Sequence, residues 1–113
     1  MKFKIEKNIR ILDELLTYFT KLGNTKLSIE MNEIDNKHYF LMKGPVENIS
    51  EDELNHLKKT LNTQRQHEIE EYYWQLGGEV CFDCELTLVG MMIDSAKIEY
   101  DRGILTIEII RED

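Results

Sequence analysis

The sequence is poor in residues that interrupt a chain: one proline and six glycines in 113 residues. That scarcity excludes a collagen-like or proline-rich disordered chain. No apolar run approaches the roughly 20 residues of a membrane span. The N-terminal stretch Met1-Lys2-Phe3-Lys4-Ile5-Glu6 has no apolar centre of the kind a signal peptide carries. A cytoplasmic protein without membrane contact is therefore expected. Clustered positive charge is missing as well. With 22 acidic against 14 basic residues the net charge is −8, and Lys58-Lys59 is the only adjacent basic pair. Such a surface repels phosphate backbones and anionic headgroups, which argues against nucleic acid and lipid as partners.

What is present is an ordinary globular composition, 42% apolar, which at this length suffices for one core. A single domain over residues 1–113 is expected. Ile9, Leu12, Leu15, Leu16, Phe19 and Leu22 recur at helical spacing, which predicts a first helix from about Lys7 to Leu22, capped by Asn8 and closed at Gly23-Asn24. The stretch 26–31 alternates with period two and predicts a strand with Leu27, Ile29 and Met31 facing the core. A turn at Asp35-Asn36-Lys37 leads to its hairpin partner, His38 to Met42.

Ser50-Glu51-Asp52-Glu53 is a capping box, so a second helix begins at Ser50 with Leu54, Leu57 and Leu61 on its apolar stripe. Its continuation through Ile69, Tyr72, Tyr73 and Leu76 is undecided by periodicity, because residues 62–67 carry no apolar side chain. Leu86 to Ile93 is apolar on nearly every side, as suits a short buried helix. Ala96, Ile98 and Tyr100, then Leu105, Ile107 and Ile109, alternate with polar residues around Arg102-Gly103, the clearest hairpin in the chain. The order predicts an α+β two-layer sandwich, with helices on one face of a mainly antiparallel sheet of four to five strands.

Residues capable of chemistry are few. Cys81-Phe82-Asp83-Cys84 is a CxxC, open to three readings: half of a metal site, a redox pair, or two reduced thiols without a role. A tetrahedral metal needs further ligands, and His38, His56 and His67 are far apart in sequence. Redox work needs thiolate, which Glu79, Asp83 and Glu85 disfavour by their negative charge. His67 and Glu71 read as an exposed helical ion pair, since the second histidine of HExxH is absent. Tyr72-Tyr73-Trp74 reads first as core, with a ligand pocket or a partner interface as the other readings. Because successive helical residues turn by about 100°, at least one ring faces outward or covers a neighbouring element, which makes Tyr73 or Trp74 the candidate interface residue. The sequence contains no phosphate-binding glycine motif and no nucleophile elbow.

Taken together, several segments resemble the ATP-binding fold shared by sensor histidine kinases and anti-sigma-factor kinases. They are Asp13-Glu14-Leu15-Leu16-Thr17-Tyr18-Phe19 before the strand at Lys26, then Phe40-Leu41-Met42-Lys43-Gly44-Pro45 leading to Ile49-Ser50-Glu51-Asp52-Glu53-Leu54, and finally Leu88 to Ile98 with the closing hairpin. By this resemblance the magnesium-binding asparagine falls near Thr17 or Tyr18. The adenine-reading aspartate falls near Lys43, where a cation cannot accept the exocyclic amine. Asp83, Cys84 and Glu85 stand where phosphate-cradling glycines are expected. The resemblance thus implies a degenerate nucleotide pocket, with Tyr18, Lys43 and Met92 as its candidate lining, and no bound cofactor. It points to a non-catalytic interaction or regulatory module in bacterial-type signalling, whose partner is a protein, a second copy of the chain included. The alternative is a small metal- or thiol-dependent protein using Cys81 and Cys84.

Overall fold

A computed structural model describes residues 4–24, 26–62 and 85–112. Any continuation of the second helix through Ile69 to Leu76, the Cys81/Cys84 loop, and Tyr73 and Trp74 lie outside the described residues. The elements run α1 (Lys4–Lys21), β1 (Ser28–Ile34), β2 (Lys37–Pro45), α2 (Glu51–Leu61), α3 (Glu85–Met92), β3 (Ser95–Asp101) and β4 (Ile104–Glu112). The four strands form one antiparallel sheet in the order β1-β2-β4-β3. Both hairpins therefore share one layer and helices pack against it, the α+β arrangement expected from the sequence.

The local signals explain the element ends. In α1 the amide of Asn24 donates to the Phe19 carbonyl and that of Gly23 to Thr20, with Gly23 at φ +82°. This pair of bonds closes a helix when its last residue turns left-handed, which glycine does without steric cost. The start of α1 differs from expectation. It begins at Lys4, so Asn8 is not a cap but a buried residue inside the helix. At α2 the Ser50 side chain accepts from the Glu53 amide at 3.1 Å, as the capping box requires. The β1–β2 turn places Asp35 and Asn36 at positive φ, and the β3–β4 turn does the same with Arg102 and Gly103, the handedness that suits two-residue hairpins.

The core forms where the inward residues of β2 and β4 meet the helices. Across the sheet, Phe40 pairs with Ile109, and Met42 with Ile107, all four fully or almost fully buried. Ile11, Leu15 and Phe19 of α1, Leu57 and Leu61 of α2, and Val89 and Met92 of α3 close over them. Each such side chain contributes on the order of 1.5–3 kcal/mol through removal from water. α2 and α3 approach closely because residue 90 is glycine: a Cβ there would lie 2.3 Å from the Thr60 carbonyl oxygen. Tyr100 ties the β2–α2 connection to β3, its hydroxyl donating to the carbonyls of Val46 and Glu47.

Strand β1 departs from the expected packing. Ile29 and Met31 pair with Met42 and Phe40 and so share the helix-bearing face, but every residue of β1 is exposed. Among the described residues β1 and β3 are the two edge strands, and the helical layer covers β2 and β4 without closing over β1. In α1, too, Ile9 and Leu16 are exposed although they belong to the apolar pattern.

Candidate functional site

Helix α1 is apolar over roughly half its circumference, given about 100° per residue. One side, Ile11, Leu15 and Phe19, enters the core. A second stripe, Ile5, Ile9 and Leu16 at four- and seven-residue spacing, is 45% to 68% exposed, with half-buried Leu12 between the two. On the same side of the sheet stand Ile29 and Met31 of β1, exposed to 46% and 50%. A monomer rarely leaves large apolar side chains contiguous in water without using them.

Between α1 and β1 runs an open cleft of about 240 Å³, lined by Ile5, Asn8, Met31, Asn32, Glu33, His38 and Phe40. Its lining is mixed, apolar at Ile5, Met31 and Phe40 and polar at Asn8, Asn32, Glu33 and His38. The Asn8 amide nitrogen lies 3.3 Å from Nδ1 of His38, and both residues are buried. With that amide donating, Nδ1 accepts and the ring proton sits on Nε2, which faces Glu33 Oε1 at 3.9 Å. The His38 ring also stacks on Phe40, with centroids 6.5 Å apart. Next to His38 in the strand register is Arg111, fully buried, whose guanidinium donates to the Met92 carbonyl. Oδ1 of Asn8 is buried without a hydrogen-bond partner among the described residues.

His38 is buried, with Nδ1 accepting from Asn8 and Nε2 facing Glu33 at 3.9 Å, and among the described residues no hydroxyl or thiol lines the cleft beside it. No cluster of three metal-ligating side chains occurs among the described residues.

The chain matches no protein-family model and no curated protein.

The residues singled out from sequence are placed as follows. Tyr18 is half-buried on α1 against the core, and Met92 is fully buried at the end of α3. Lys43 is exposed and pairs with Ser28 and Thr106, which puts it on the sheet face away from the helices. The structure thus brings Tyr18 and Met92 to one side of the sheet and Lys43 to the other. The α1–β1 face was not anticipated, although its signal is present: Ile5, Ile9, Leu12 and Leu16 form a second helical series beside the core series.

Proposed function

We propose that the chain is a non-catalytic, cytoplasmic protein-interaction module, of the signalling type implied by its likeness to histidine-kinase-like ATP-binding folds, and that it docks its partner on the α1–β1 face. The observation that carries this reading is the meeting of two features on one side of the molecule. Among the described residues, the exposed stripe Ile5, Ile9 and Leu16 of α1 and the edge strand β1 meet where Ile5 and Met31 line one cleft. Interaction surfaces that add a strand to a sheet use such an edge for backbone hydrogen bonds and the neighbouring apolar residues for specificity. The reading of the nucleotide site as degenerate rests on the resemblance alone, in which Lys43 takes the position of the adenine-reading carboxylate that a cation cannot replace.

The test is position-specific. A photo-crosslinking amino acid at Ile9 or Met31 is expected to yield discrete protein adducts in cells, whereas the same group at Lys97 on the opposite edge strand yields none. No adduct from either Ile9 or Met31 would remove the docking reading. The nucleotide claim is checked separately by titrating ATP with magnesium. A ligand at a hundred times its Kd stabilises by about 2.7 kcal/mol, so a clear rise in Tm would show the pocket to be competent.

A further inference from the structure

We draw no further inference here: the strongest candidate, the exposed apolar stripe Ile5, Ile9 and Leu16 of α1 beside strand β1, belongs to the site already described, and nothing in the structure shows what covers it.

Discussion

Met31 stands directly opposite Phe40 across β1 and β2, on the same face of the sheet, yet Phe40 is 1% exposed and Met31 is 50% exposed. Two neighbours one strand apart thus serve different ends, the inner one the core and the outer one a surface. Phe40→Ala is expected to cost about 3–5 kcal/mol, the usual range for emptying a core aromatic site. Met31→Ala should stay within about 0.5 kcal/mol when measured by urea denaturation at concentrations too low for association. Equal losses at the two positions would show that β1 is covered in solution by the chain itself.

Asn8 and His38 form a buried polar pair that should behave as a unit. Asn8→Leu leaves Nδ1 of His38 without its donor and is expected to lose about 1–3 kcal/mol. Asn8→Leu with His38→Phe replaces both partners by apolar groups and should recover most of that loss. Denaturation midpoints of the single and double variants decide it. A double variant no better than Asn8→Leu alone would show that the two are uncoupled.

Gly90 is required by the distance between two helices. A Cβ at this position would meet the Thr60 carbonyl oxygen at 2.3 Å, a backbone atom that cannot rotate away. Gly90→Ala should therefore destabilise by about 1–3 kcal/mol through overpacking, against the general gain expected from replacing a helical glycine by alanine. A rise in Tm for this variant would mean that α2 and α3 separate easily.

Ser50 caps α2 by accepting from the Glu53 amide. Ser50→Ala is expected to lower stability by about 1 kcal/mol, and Ser50→Asp to retain it, since either oxygen accepts at the helix start. Thermal denaturation of the two variants gives the comparison.

Much of the fold was legible from short-range chemistry. The capping box at Ser50, the left-handed closure at Gly23 and the period-two runs of β3 and β4 act through neighbours a few residues away, and the structure follows them. The α1 start was misread because an asparagine before an apolar series looks the same whether it caps the helix or is buried within it. The role of α1's outer stripe was hidden for a related reason. Periodicity reports that Ile5, Ile9, Leu12 and Leu16 share a side, and it is silent about whether anything covers that side.

The sequence by itself determined the class of architecture, the hairpin turns, most helix ends and the lack of any phosphate-binding motif, since each depends on residues close together along the chain. Only the tertiary structure decided which apolar residues would be core and which would be surface. That choice depends on strand order. Placing β1 outermost and β4 beside β2 sends Phe40 and Met42 beneath the helices and leaves Ile29 and Met31, of the same chemical character and on the same face, in contact with water.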